Sequence, residues 1–299
     1  MLKTVRNYIQ VAKPGIVLGN LISTAGGFLL ASGNRPQMGV LVGALAGTSL
    51  MVASACVLNN CIDRKLDGKM ARTRNRVLAC GRMSPAAALL YATALGIAGT
   101  GLLWTATNPL CVGLVLLGFT IYVVLYSLVL KPRKSYSILV GSLAGAAPPL
   151  AGYCAVTNQF DLGALILLSI FCVWQIPHAH AIAVFRLRDY AAAAIPSLPG
   201  KRGVPTAKKH IALCTLAFLA VAPMLTLGGY TGFRFLSAAA LIGALWLLMA
   251  LQGLKAADDR LWARKLFVFS IVGITLLSLM MAIDGTVHQP PVLQLTWAL

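Results

Sequence analysis

Nine separate runs of about twenty mostly apolar residues divide this chain, at roughly 16–32, 39–58, 86–104, 110–130, 137–155, 163–183, 211–229, 233–253 and 266–284. Each is about the length a helix needs to cross a bilayer core. Backbone inside lipid must satisfy its own hydrogen bonds, so such runs have to be helical. They predict an all-α, polytopic membrane protein: a bundle of about nine transmembrane helices around a central cavity, one intramembrane domain over 1–299. Composition agrees. Hydrophobic residues make up 59% of the chain and charged ones 11%, against about 25% charged in a soluble domain. A soluble α/β enzyme and a disordered chain are both excluded. The first window is short and holds Asn20, which makes it the least regular span. Most windows are rich in Gly, Ala and Ser, as in GSLAGAA at 141–147, and small residues let helices approach closely in lipid. Pro148-Pro149 predicts a break or kink in the fifth span.

Charge sets the orientation. There are 25 Lys and Arg against seven acids, all of them aspartates, for a formal net charge of +18. In a soluble chain that excess would suggest nucleic-acid binding; here the cations lie in loops on an apolar body, and no nucleic-acid partner is expected. Alternate loops hold 23 of the 25 basic residues, leaving only Arg35 and Arg234 for the other side. The positive-inside rule then puts the N-terminus in the cytoplasm and the C-terminus in the periplasm. Asp63, Asp67, Asp189, Asp258 and Asp259 fall on the same cytoplasmic side, so the chemistry is expected in loops near 59–85 and 184–210. The seven cysteines form no CxxC pair and read as small buried residues. The N-terminal segment has neither a signal peptide's apolar core nor a long presequence, which points to a bacterial inner membrane.

The most informative stretch is Asn59-Asn60-Cys61-Ile62-Asp63-Arg64-Lys65-Leu66-Asp67, followed by Met70-Ala71-Arg72-Thr73-Arg74-Asn75-Arg76. Asn59, Asp63 and Asp67 are four apart and share a face of any continuing helix. Neighbours at that spacing can converge on a hard cation, and Mg²⁺ typically takes one or two carboxylates plus phosphate oxygens. Arg72 and Arg76 suit the oxygens of a diphosphate. A cytoplasmic loop with incidental Asp–Arg/Lys pairs is the plainer account, but it gives no reason for Asn59-Asn60 at the end of a membrane helix. A second stretch runs from Trp174-Gln175-Ile176-Pro177-His178-Ala179-His180 through Arg186 and Asp189 to Ile195-Pro196-Ser197-Leu198-Pro199. His178 and His180 are two apart, which places them on different helix faces and argues against a paired metal site. Asp258-Asp259 reads as a helix-capping signal. Tyr126, Lys131, Arg133, Lys134 and Tyr136 are accounted for as snorkelling interface residues, with steering of an anionic substrate as the alternative.

The N-x-x-x-D-x-x-x-D run with the following Arg-Thr-x-x-Arg resembles the UbiA superfamily of intramembrane prenyltransferases. NNCIDRKLDGKMARTRNRVL, GSLAGAAPPLAGY, WQIPHAHAIAVFRLRDY, IPSLP and ADDRLWARKLF resemble its haem-farnesylating branch, and the likeness runs from KPGIVLGNLIS at 13–23 to the last span. Val77 departs from the pattern, since many relatives have Pro there. The resemblance implies transfer of farnesyl from farnesyl diphosphate, with addition of water, to a vinyl group of haem B, giving haem O for terminal respiratory oxidases. It implies Mg²⁺ held by Asn59, Asp63 and Asp67, diphosphate oxygens on Arg72 and Arg76, and catalysis by the metal-site residues with His178. His178 is expected near the haem or the cation, Arg186 near a propionate or phosphate, and Asp189 as their partner. Membrane lipids and haem-handling or oxidase-assembly proteins are the implied surroundings.

Two other readings use the same residues. A superfamily enzyme acting on 4-hydroxybenzoate or a related aromatic predicts a second acidic motif near 178–189, where this chain has one acid. A transporter or channel for an anionic metabolite uses the arginines but has no need of Asn59, Asp63 and Asp67 at helical spacing.

Overall fold

The computed structural model describes residues 2–33 and 35–286; the expected periplasmic C-terminal end lies outside the described residues. Among these there is no strand, only an isolated Thr231–Gly285 bridge. A short helix α1 (Leu2–Val11) precedes α2 (Pro14–Ser32), α3 (Met38–Lys69) and α4 (Pro85–Ala106). Helix α5 (Pro109–Thr120) runs straight into a π-helix (Ile121–Leu130). Then come α6 (Ser137–Thr157), α7 (Leu162–Phe185), the short α8 (Leu187–Ala192) and α9 (Leu198–Arg202), α10 (Val204–Val221), α11 (Met224–Leu227), α12 (Phe233–Gln252) and α13 (Asp259–Asp284). Nine described helical segments are long and apolar enough to cross a membrane, in agreement with the nine windows.

Their ends differ from the windows in an instructive way. α3 continues past residue 58 to Lys69, and α10 and α13 begin at Val204 and Asp259 rather than at 211 and 266. Hydropathy stops counting where Lys208, Arg260 or Asp63 appears, whereas a helix keeps its backbone bonds out into the headgroup region. Residues 59–69 and 204–210, expected in loops, are therefore helical. Asn20 does not interrupt α2, because its amide donates to the Ile16 carbonyl at 2.8 Å within the same helix. Nor do Pro148 and Pro149 break α6, which runs unbroken through both.

Small residues close the bundle. A Cβ on Gly27 would lie 2.0 Å from the Pro149 carbonyl oxygen, and one on Gly152 would lie 2.2 Å from that of Thr24. α2 and α6 thus meet backbone to backbone at Pro149 and again one turn later at Gly152, the small-residue packing expected in lipid. All seven cysteines are free.

This contact generates a test. Gly27→Ala puts a methyl where a backbone oxygen already sits, and overpacking of this kind costs about 1–3 kcal/mol. The variant is expected to melt several degrees below the wild type in detergent, whereas Gly15→Ala, with nothing within 4 Å, leaves the melting temperature unchanged. Equal melting temperatures would show that α2 and α6 are not in backbone contact.

Candidate active site

The polar end of α3 is the centre of the site. Asn59, Asp63 and Asp67 share one face and are buried, at 3%, 2% and 2% exposure. A carboxylate at that depth is sustained only by pairing. Three other segments supply the partners. Lys13, between α1 and α2, donates from Nζ to Asn59 Oδ1 at 2.6 Å. Asn59 Nδ2 donates to Asp63 Oδ2 at 3.0 Å and to Ser127 Oγ at 3.1 Å. Lys131 Nζ pairs with the same Asp63 oxygen. After α3, one terminal nitrogen of Arg76 donates to both oxygens of Asp67, at 3.0 and 2.9 Å. Buried Thr73 fixes the intervening turn by donating to the Asp67 carbonyl at 3.0 Å. Asn60 faces away and ties α1 down through the Val11 carbonyl at 2.7 Å.

Lys13 is held under strain. Its φ of 54° is left-handed backbone in a residue with a Cβ, a conformation that costs about 1–2 kcal/mol and gathers at functional sites. Burial, with the nearby charges of Arg76 and Lys131 acting in the same direction, brings its ammonium down to about 8, while Asp63 pulls the other way.

The π-helix explains how Ser127 and Lys131 reach the same place. Tyr122 and Lys131 are nine residues apart, two and a half turns of an α-helix, which would put them on opposite sides. With i→i+5 bonding and roughly 4.4 residues per turn, nine residues make about two turns. Tyr122, Tyr126, Ser127 and Lys131 then share one face, with the two tyrosine rings stacked 5.8 Å apart. Lys131 is therefore not a snorkelling interface residue, and Tyr126 packs inward over Gly141. Nothing in the residue pattern announces a π-helix, which is why this face was not legible in advance.

The second motif joins the first. An apolar seam of Met70, Ala193 and Ile195, flanked by Leu66 and Tyr190, holds the 186–195 segment against the end of α3. Desolvation, together with the charges of Arg76 and Arg186, holds the Arg72 guanidinium below its usual range, and Tyr190 and Asp189 oppose that shift. Burial raises the Tyr190 phenol, which also faces the charges of Lys131, Arg72 and Asp63. Arg186 pairs with Asp189 at 3.8 Å. Five cations (Lys13, Arg72, Arg76, Lys131 and Arg186) thus converge on three carboxylates (Asp63, Asp67 and Asp189).

His178 stands apart from that cluster. Its ring lies between Trp174, at 4.7 Å, and Phe267 of α13, at 4.9 Å. His180 faces another way, 6.1 Å from His210 of α10, so the two histidines do occupy different faces. Asp258 caps α13 by accepting from the Leu261 amide at 2.9 Å, as its position suggested, while Asp259 pairs with Lys208.

Among the described residues no three His, Cys, Asp or Glu side chains come together closely enough to hold a metal by themselves. Asp63 Oδ1 is nevertheless buried and without a hydrogen-bond partner, an open hard-oxygen ligand beside an excess of positive charge. That suits a cation shared with a phosphate-bearing substrate better than one caged by protein alone.

Known proteins carry the same plan. The chain is 58% identical over 286 residues to a protoheme IX farnesyltransferase of Pseudomonas syringae pv. syringae, covering 96% of this chain and 97% of the relative. It is 54% identical over 293 residues to one from Serratia proteamaculans, covering 98% and 99%. Among solved structures it matches a digeranylgeranylglyceryl phosphate synthase with a TM-score of 0.77 at 16% identity, covering 94% of this chain and 98% of that one. It also matches a UbiA homolog from Archaeoglobus fulgidus bound to GPP and Mg²⁺, with a TM-score of 0.65 at 16% identity, covering 93% and 99%. The model of the UbiA prenyltransferase family matches residues 20–272, and the chain belongs to that family.

Proposed function

We propose that this protein transfers the farnesyl group of farnesyl diphosphate, with addition of water, to a vinyl group of haem B, making haem O. The observation that carries the donor half is the buried end of α3, where cations outnumber carboxylates five to three. Such an excess at membrane depth is costly until a polyanion fills it, and a prenyl diphosphate brings that charge on an apolar tail. Support for the acceptor comes from relatives at 54–58% identity that bear the protoheme farnesyltransferase name.

In this reading Asp63, whose Oδ1 is open, would hold Mg²⁺ together with Asp67 and Asn59, and the ion would supply charge neutralisation for the diphosphate. Arg72, Arg76 and Lys131 take diphosphate oxygens, and Lys13 keeps Asn59 oriented. Neutralising the leaving group allows the allylic C–O bond to ionise. The vinyl carbon attacks the farnesyl cation, and water captures the new cation with loss of a proton. The single acid near 178–189, Asp189, is already paired with Arg186 and leaves no second carboxylate for another metal there, which separates this reading from an aromatic-prenylating one. The site faces the cytoplasm of a bacterial inner membrane, where lipid surrounds the spans and oxidase-assembly proteins receive the product.

Three outcomes follow for purified or membrane-embedded protein. Asp63→Ala and Asp67→Ala are expected to abolish Mg²⁺-dependent turnover while the protein stays folded in the membrane; Asp63→Asn with normal turnover at low Mg²⁺ would remove the carboxylate from the metal site. Lys131→Met, similar in length and uncharged, is expected to cut kcat/KM roughly ten- to hundredfold, since a hydrogen bond to a charged group contributes about 1.5–3 kcal/mol. A change under twofold would return Lys131 to the interface. In a Cys80→Ser background, which removes the exposed native thiol, a cysteine placed at Gly200 is expected to react with membrane-impermeant maleimide only in inverted vesicles, and one at Asn158 only in right-side-out cells. The opposite pattern overturns the orientation.

A further inference from the structure

One hydroxyl on the last helix determines which nitrogen of His178 is free. Ser270 of α13 is buried, with 1% exposure. Its Oγ lies 2.7 Å from the carbonyl oxygen of Phe267, one turn earlier in the same helix, and 2.7 Å from His178 Nδ1. A serine hydroxyl has one proton, and a carbonyl can only accept. The proton therefore goes to Phe267, and Ser270 Oγ meets His178 as an acceptor. Nδ1 must carry the hydrogen of that bond. A neutral imidazole has only one N–H, so Nε2 is left with its lone pair. Among the described residues Nε2 has no protein hydrogen-bond partner.

The ring cannot easily turn away. Trp174 stacks on it at 28° between planes and Phe267 flanks it at 38°. Trp174 is itself fixed, its indole N–H donating at 2.9 Å to the backbone carbonyl of the same Ser270. From Phe267 the row of rings continues to Phe185 at 5.4 Å, with the Arg186 guanidinium 4.9 Å from the Phe185 ring centroid. A fixed, unprotonated imidazole nitrogen thus lies at one end of an aromatic wall whose other end is a cation. An imidazole whose remote N–H is held by an acceptor is the usual arrangement for a metal ligand, because the second partner fixes tautomer and direction.

We infer that Ser270 is a positioning residue for the acceptor: by accepting the Nδ1–H of His178 it presents Nε2 as an axial ligand to the iron of haem B. This rests on the reading that haem B is the acceptor substrate. The competing account is that Ser270 and His178 merely tie α13 to α7.

The test is a ferric haem B titration of the full-length protein in detergent without farnesyl diphosphate, followed by the Soret band and electron paramagnetic resonance. Wild type is expected to bind one haem with a histidine-ligated signature, and His178→Ala to lose it. Ser270→Thr and Ser270→Val have nearly the same shape and differ in the hydroxyl. Ser270→Thr is expected to keep the signature, and Ser270→Val to weaken haem binding about tenfold or more, with equal farnesyl diphosphate affinity and equal melting temperature in the pair. Haem binding and spectra that are the same in the Thr and Val variants, or a ligation signature that survives in His178→Ala, overturn the inference. If wild type binds farnesyl diphosphate but no haem, it is the acceptor reading itself that fails.

Discussion

Two carboxylates buried at the membrane end of one helix determine how the rest of the polar architecture is arranged. Asp63 and Asp67 on α3 have almost no exposure, and an unpaired charge there would cost several kcal/mol. The compensating groups come from segments far apart in the chain: Lys13 before α2, Arg76 after α3 and Lys131 at the end of the π-helix. Each has to arrive in register, so the ion pairs specify which helices are neighbours at this end. The bonds also overcompensate. The positive charge left over is a property of the folded protein before any substrate binds, and it is suited to an incoming polyanion rather than to self-neutralisation.

Two departures from regular helix make that register possible, and both carry a cost. Lys13 occupies left-handed backbone, so the chain turns sharply into Pro14 while its side chain reaches Asn59. The segment Ile121–Leu130 gives up α-helical bonding for the wider π winding, which gathers Tyr122, Tyr126, Ser127 and Lys131 on one face. Strain of this kind persists only where surrounding packing over-determines it. Here the packing is the backbone contact of α2 with α6 at Gly27 and Gly152, which holds the framework while its polar end is distorted.

The contrast between what the residue pattern disclosed and what it hid follows from these facts. Helix number and the single polar face of Asn59, Asp63 and Asp67 are periodic properties, and periodicity is visible in a sequence. The capping role of Asp258 is likewise local and was legible. The partners were not. Lys131 lies among Arg133 and Lys134, and only the π winding distinguishes the cation that turns inward from those that do not. Lys13 is one basic residue among several near the N-terminus, and its positive φ is not written in its type. Ser270 is an ordinary small residue in an apolar span; its place in the hydrogen bonding appears only when α13 is laid beside α7, where the Phe267 carbonyl takes its one hydroxyl proton and its oxygen is left to accept from His178.

The separation of His178 from the ionic cluster then acquires a physical sense. The eight residues from His178 to Arg186 rise about 12 Å along α7, so the imidazole sits well below the level of the cations gathered at the end of α3. Breaking an allylic C–O bond needs concentrated charge at the leaving group, whereas the cation so formed must be kept from water until it meets carbon. A site that placed both requirements at one depth would bring hydrated arginines against the reacting carbon. In the proposed reading the acceptor is held from below by an uncharged nitrogen and from above by Arg186. Its reactive edge can then approach the charged level without carrying water down with it. In that reading, ligation by a neutral imidazole rather than by a carboxylate would let the lower half of the site remain apolar.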